Sequence, residues 1–70
     1  MERLSWTDPG GIRNTAIVGR EVMHEHPGGS VSYMAGHTVV SIEPELGGYR
    51  VNLAGRQTFL RVLAEWVDPQ

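Results

Sequence analysis

The chain has 70 residues with neither cysteine nor lysine, and its six arginines face eight acidic residues for a net charge of −2. The length allows one small domain. Without cysteine there is no disulfide, thiolate nucleophile or cysteine-ligated metal, and without lysine there is no Schiff-base chemistry. The acidic balance argues against non-specific nucleic-acid binding, which needs a strongly basic surface.

The compartment is inferred from features that the sequence lacks. Its first residues carry neither the basic start nor the apolar run of about 7–15 residues of a secretory signal, and no stretch approaches the ~20 apolar residues of a membrane span. We therefore expect a cytoplasmic protein that contacts no membrane. Because a domain this small buries only about 60% of its unfolded surface, we also expect a homo-oligomer.

Residues 1–14 are expected to form an irregular N-terminal arm, and residues 15–70 the single domain. A turn is predicted at residues 7–11, since Asp8 can hydrogen-bond its own backbone and glycine accepts positive φ. Trp6 precedes this turn. It either packs on its own domain or is exposed as an interface residue.

The middle of the chain has the composition of a β-meander. Three segments rich in β-branched and aromatic residues are predicted to be strands: residues 15–26, 31–43 and 49–53. Two segments rich in proline and glycine are predicted to be the turns between them: residues 27–30 and 44–48. In the third strand Tyr49, Val51 and Leu53 face one way.

The apolar period changes in residues 56–67. The apolar residues fall at i, i+1, i+4, i+7 and i+8, which is one stripe of a helix: Phe59, Leu60, Leu63, Trp66 and Val67. Polar residues occupy the other side: Arg56, Gln57, Arg61 and Glu65. Since the residue before a proline is pushed out of the α region, Asp68 ends this predicted amphipathic helix.

These elements predict an α+β domain, a curved antiparallel β-meander of three to four strands packed under the C-terminal helix. The alternative is an SH3-like β-barrel, in which residues 31–43 divide into two strands near Gly36. Ten residues are the expected core: Val18, Val22, Val31, Tyr33, Val39, Val51, Leu53, Leu60, Leu63 and Trp66.

Three single glycines each precede a basic or potentially basic residue: Arg20, His37 and Arg56. If residues 27–30 close a hairpin, Arg20 lies roughly opposite His37, and His37 lies near residues 53–55. Such a row would dock an anion or a carboxylate, because like charges lie together only when a negative group separates them. The predicted binding residues are Arg20, His37, Arg56, Tyr33 and Trp6.

His24 and His26 are the only candidate metal ligands. Residues i and i+2 of a strand point the same way, so the two imidazoles could share one ion. A third ligand would have to come from more distant residues: Glu21, His37 or Glu43. Because polar residues are expected beside a tight turn in any case, no metal and no other cofactor is predicted.

No motif in the sequence indicates catalysis. The serines lie in no nucleophile elbow, and no phosphate-binding glycine loop is present. We therefore expect no enzyme, but a small protein-binding module, a regulator or an inhibitor, that meets another protein's acidic surface through its sheet and helix. The alternatives are a nucleic-acid-binding accessory protein, or a small enzyme whose pocket forms only in an oligomer.

Overall fold

A computed structural model describes residues 1–56 and 58–69 of the chain. These residues form six antiparallel strands and one 3-10 turn: β1 (Arg3–Thr7), β2 (Arg13–Ile17), β3 (Glu21–Glu25), β4 (Val31–Glu45), β5 (Gly48–Leu53), β6 (Phe59–Leu63) and η1 (Ala64–Trp66). Each strand pairs with the next in chain order. The fold is therefore an all-β meander with only local connections.

The sheet is open, and the end of the chain returns to its first strand. Trp6 and Val67 form an isolated antiparallel bridge, and the Asp68 N–H donates to the Ser5 carbonyl at 3.0 Å. This short contact covers part of the free edge of β1. Edge backbone groups that are covered in this way are not available to pair with other chains.

The long strand β4 belongs to both halves of the sheet. Its first part pairs with β3, from Val31 to Thr38, and its second part pairs with β5, from Val39 to Glu45. Within the first part the register with β3 shifts between Tyr33 and Thr38, and Gly36, which lies in this stretch, has a φ of +80°. Since glycine adopts positive φ without a Cβ penalty, the strand bends at this position.

The bend folds both halves around one hydrophobic core. Nine apolar side chains are buried in it: Leu4, Trp6, Ala16, Val22, Val39, Ile42, Val51, Leu53 and Val62. Four of these were predicted, namely Val22, Val39, Val51 and Leu53. Among the predicted core residues, Val31, Tyr33 and Leu63 are instead exposed.

The predicted helix over residues 56–67 is wrong, and with it the α+β class. Residues 59–63 form β6, paired with β5 from Asn52↔Phe59 to Gly48↔Leu63, and only the single turn η1 follows. In β6 it is Leu60 and Val62 that point toward the core, whereas Phe59 and Leu63 of the predicted stripe are exposed. An isolated helix of this length is marginal, and β5 offers a full ladder of hydrogen bonds instead. Gln57 lies outside the described residues.

The SH3-like alternative also differs from the structure. Residues 31–45 remain one strand rather than two, and the described residues form six strands in an open sheet. Further, the segment predicted as one strand over residues 15–26 is divided by a turn in which the Arg20 N–H donates to the Ile17 carbonyl. Gly19, with a φ of +90°, permits this turn.

The expected irregular arm is ordered into the sheet. Residues 3–7 form β1, which places Leu4 and Trp6 in the core. The turn predicted at residues 7–11 is confirmed, since Asp8 Oδ1 accepts from the N–H groups of Gly10 and Ile12 at 3.0 and 3.1 Å. The short hydrogen bonds of this turn hold β1 and β2 together as a hairpin.

Candidate functional site

A cleft of about 280 Å³ opens on the outer face of the sheet, the face turned away from the core, where β2, β3 and β4 lie side by side. Six side chains line it: Thr15, Ile17, Arg20, Glu21, Met23 and Tyr33. Thr15 is buried and forms the floor, Ile17 and Met23 are half-buried, and the rest form an exposed rim. The volume suits one large side chain or a small molecule.

The strand register explains why these side chains meet. Thr15 pairs with Met23, and Met23 pairs with Tyr33, so the three residues form one row across β2, β3 and β4. The floor is polar, because the hydroxyl groups of Ser5 and Thr15 lie 3.3 Å apart and are both buried. The walls are apolar and the floor holds a satisfied hydroxyl pair.

Arg20 supplies a cation at the rim that has no acidic partner in the described chain. Three of the six arginines form ion pairs with carboxylates among the described residues: Arg13, Arg50 and Arg61. The other three form none there: Arg3, Arg20 and Arg56. Of these, only Arg20 lines the cleft. Guanidinium groups bind planar carboxylates through paired hydrogen bonds, so Arg20 is suited to an external acid.

Glu21 supplies the opposite charge on the same cleft, and it is held in place. Its Oε2 accepts from the Gly36 N–H at 2.8 Å, across from β3 to the bend of β4. The backbone bond restricts this carboxylate, whereas no contact restricts the head group of Arg20 within the described residues. The cleft therefore has one fixed negative group and one adaptable positive group.

A second polar cluster lies at the other end of β3 and joins Asp8, Asn14 and His24. The Asn14 Nδ2 donates to Asp8 Oδ2 at 3.2 Å and to the Ile12 carbonyl at 3.1 Å. Its Oδ1 therefore faces His24 Nδ1 at 2.6 Å and must accept, which places the His24 proton on Nδ1. The Nε2 of neutral His24 carries the lone pair.

The surroundings lower the pKa of both His24 and Asp8. Burial lowers the pKa of His24 below its ordinary value of 6.5, the charge of His26 lowers it further, and Asp8 partly opposes both. The hydrogen bond from Asn14 lowers the pKa of Asp8, with the backbone N–H groups of Ile12 and Gly10 acting in the same direction. Near neutral pH the cluster therefore holds a neutral imidazole and a carboxylate.

The two candidate metal ligands are already engaged. The His24 and His26 rings lie 6.4 Å apart between centroids, and His26 Nε2 lies 2.7 Å from the Ser32 hydroxyl. Within the described part of the chain, no group of three histidine or acidic side chains is placed to hold an ion. A two-imidazole arrangement lacks the further protein ligands of a typical zinc site.

The structure brings only two of the five predicted binding residues together in the cleft. Arg20 and Tyr33 share the cleft, and Tyr33 is 58% exposed. Trp6 is only 4% exposed, so of its two alternatives the structure shows packing on its own domain. Arg56 is exposed in the loop after β5 and does not line the cleft.

His37 lies near residues 53–55, as predicted. Its Nδ1 is 3.1 Å from the Ala54 carbonyl. Its expected partner Arg20 instead lies beside Val39, whose N–H donates to the Arg20 carbonyl at 2.8 Å. The shifted register of β4 at Gly36 separates the two residues along the strand, so the row expected at residues 20 and 37 is not formed in that register.

Sequence reasoning missed the cleft residues Thr15 and Met23 and the cluster residue Asn14. Alternation along β2 and β3 places Thr15 and Met23 on one face, but their pairing depends on the turn at Gly19. Asn14 is a buried polar residue, and only its partners in two other segments explain its burial.

Comparison with known proteins adds no relative: no protein family, no curated protein and no solved structure matches this chain. Among the described residues, no helix is long and apolar enough to cross a membrane.

Proposed function

We propose that the chain is a small protein-binding module whose binding surface is the outer face of β2, β3 and β4 around the cleft. The observation that carries this proposal is the set of groups on one face: the exposed ring of Tyr33, the apolar cleft beside it and Arg20, which has no ion pair among the described residues. Tyrosine and arginine contribute more than most residues to interface energies.

The rest of that face supports the same proposal. Val31 lies two residues before Tyr33 on the same face of β4 and is 51% exposed. The two side chains form an apolar strip beside the cleft. Since the predicted helix is absent, the surface consists of the sheet alone. We retain the cytoplasm as the proposed compartment, because a chain without cysteine gains nothing from oxidising conditions.

The charged side chains on the outer face of β5 and β6 already have partners within the chain. Glu45 lies 3.4 Å from Arg50 and from Arg61, and the Arg50 guanidinium stacks on the Phe59 ring at 4.1 Å from its centroid. Both arginines therefore have an acidic partner within the chain, which Arg20 lacks among the described residues. This difference supports our proposal of a binding surface on β2, β3 and β4 rather than on β5 and β6.

The test compares capture by matched variants. The protein is immobilised and exposed to lysate of its source, alongside the Tyr33→Ala variant and a Val40→Ala control. Val40 is 59% exposed but does not line the cleft. The proposal predicts a retained protein that is lost with Tyr33→Ala and kept with Val40→Ala.

Three outcomes would contradict the proposal. Equal capture by both variants would place the binding surface elsewhere. Retention of nucleic acid with a steep salt dependence would favour the nucleic-acid alternative. A native mass of two or more copies, reduced to one by Tyr33→Ala, would make this face the contact between copies of the chain.

A further inference from the structure

The charges around the cleft define the chemistry of the segment that it takes. We infer that the cleft binds a peptide segment of a partner protein in which one bulky apolar side chain stands next to a single carboxylate. This inference rests on the proposed function, because it concerns the same surface. It names the group that enters the cleft and the group that Arg20 contacts.

The apolar part follows from the lining. Ile17 and Met23 are half-buried and Tyr33 presents more than half of its surface, so they form an apolar wall on a buried floor. A volume of about 280 Å³ is just below the usual range for ligand pockets, about 300–1,000 Å³. It accommodates one large side chain rather than a longer stretch of chain.

The carboxylate follows from Arg20. Its side chain is exposed at the rim and has no carboxylate within ion-pair distance in the described part of the chain. Its backbone is fixed at both ends, since its N–H donates to the Ile17 carbonyl and its carbonyl accepts from the Val39 N–H. The base of the side chain is therefore held while the guanidinium is free to meet an acid.

Glu21 limits the segment to one negative charge. Because its Oε2 is held by the Gly36 N–H, this carboxylate stays on the cleft instead of swinging away. A run of acidic residues would bring further negative charge against it, and like charges that meet at an interface oppose binding. The cleft should therefore discriminate against polyacidic segments, which a simple basic patch would favour.

The experiment uses small probes and the full chain. N-acetyl-L-phenylalanine carries the carboxylate and the aromatic ring. N-acetyl-L-phenylalaninamide has the same ring but an uncharged amide in place of the carboxylate. Binding at millimolar concentration is followed by amide shifts of the 15N-labelled protein. We expect shifts around the cleft and about tenfold tighter binding of the acid, the effect of one charge-assisted contact.

Three charge-neutralising variants identify the groups responsible. Arg20→Gln should abolish the preference for the acid. Arg56→Gln should keep it, because Arg56 lies outside the cleft and, like Arg20, has no ion pair in the part of the chain that the structure describes. Glu21→Gln should strengthen binding of N-acetyl-glutamyl-glutamyl-phenylalanine, which carries extra carboxylates. The full-length fold of each variant is checked from the same spectra.

The results separate this inference from the proposed function. Any of three results would overturn the inference about the cleft: equal binding of the acid and the amide, a preference for the acid that survives Arg20→Gln, or no binding of either probe. Dependence of partner capture on Tyr33 would then still stand, and the partner would use different chemistry. If capture is independent of Tyr33 while the probes bind as expected, the cleft is a small-molecule site and the protein-binding proposal fails.

Discussion

Asn14 and His24 lie opposite each other on β2 and β3, and the Asn14 Oδ1 accepts a hydrogen bond from His24 Nδ1 at 2.6 Å. The amide is oriented by its own bonds to Asp8 and Ile12, so it can offer His24 only an oxygen. This relationship holds the imidazole in one tautomer. It also links the two hairpins formed by β1, β2, β3 and β4.

The first prediction concerns the pH dependence of stability. The pKa of His24 is lowered in the folded chain, so above pH 6.5 the residue is neutral in both states. As the pH falls below 6.5, the unfolded chain takes up the proton first, and the free energy of unfolding falls until folded His24 is protonated as well. The urea concentration at the midpoint of unfolding should therefore decrease as the pH is lowered through this range.

A control variant tests whether His24 causes this loss of stability below pH 6.5. In His24→Gln the decrease of the urea midpoint just below pH 6.5 should be smaller than in the unchanged protein. A second loss, below pH 3.8, belongs to Asp8, whose pKa is also lowered in the folded chain. If His24→Gln leaves the first loss unchanged, another group is responsible for it.

Replacing Asn14 by alanine should destabilise the chain by about 1–3 kcal/mol, the cost of leaving buried polar groups without partners. Both Asp8 Oδ2 and His24 Nδ1 lose their contact with the amide. Thermal or urea unfolding measures the change. Ser32→Ala, which removes the exposed contact with His26, is the matched control and should cost much less. Similar losses in both variants would contradict the structural role of Asn14.

Glu45 separates two arginines that pair directly across β5 and β6. Arg50 and Arg61 are opposite in register, and Glu45 lies 3.4 Å from each. Like charges placed opposite each other are destabilising, so Glu45→Gln should cost about 1 kcal/mol at low salt and less at high salt. Chemical denaturation at two salt concentrations measures both effects.

Glu65→Gln is the charge-matched control, since Glu65 is exposed and has no ion pair in the described chain. It changes the net charge equally without separating arginines. Equal effects of the two variants, or a cost of Glu45→Gln that does not fall with salt, would show that net charge or packing governs this position instead.

A β-carbon at Gly55 would meet the bend of β4. It would lie 2.8 Å from the Gly36 carbonyl oxygen and 2.7 Å from His37 Nδ1, and Gly55 has a φ of +100°. Gly55→Ala therefore combines backbone strain with a steric conflict, and we expect a loss of about 2 kcal/mol or more. Unfolding by urea measures the loss.

Gly28→Ala isolates the strain alone. Gly28 has a similar φ of +95°, but nothing lies within 4 Å of its added carbon. Gly28→Ala should therefore lower the free energy of unfolding by about 1–2 kcal/mol, the cost of the backbone strain alone. Equal losses at the two positions would mean that β4 and the loop after β5 do not approach each other as closely as the structure has them.

Replacing Trp6 by alanine should unfold the chain or cost about 3–5 kcal/mol, the usual range for a large buried aromatic residue. Trp6 is 4% exposed and bridges to Val67. Far-UV circular dichroism and unfolding measurements test this. Trp66→Ala should cost less, because Trp66 only packs partly against the core. A folded Trp6→Ala variant of unchanged stability would contradict the burial of Trp6.

Composition and local pattern determined a substantial part of the fold. Proline and glycine clusters located the turn at residues 27–30 and a second turn within residues 44–48, because their preferred backbone angles act within a few residues. The second turn is shorter than predicted, since Pro44 and Glu45 belong to β4 and Gly48 to β5. Alternation placed Val51 and Leu53 on the buried face of β5. Asp8 was recognised as a turn residue from its neighbours alone. Each of these features depends on interactions between residues that are close in sequence.

Tertiary structure decided the features that depend on distant partners. The apolar spacing of residues 56–67 predicted a helix, but the free ladder of β5 selected a strand over residues 59–63. The cleft depends on the register of β2, β3 and β4, which the turn at Gly19 and the bend at Gly36 set together. Register between strands is a collective property of the sheet, so periodicity along one segment does not contain it.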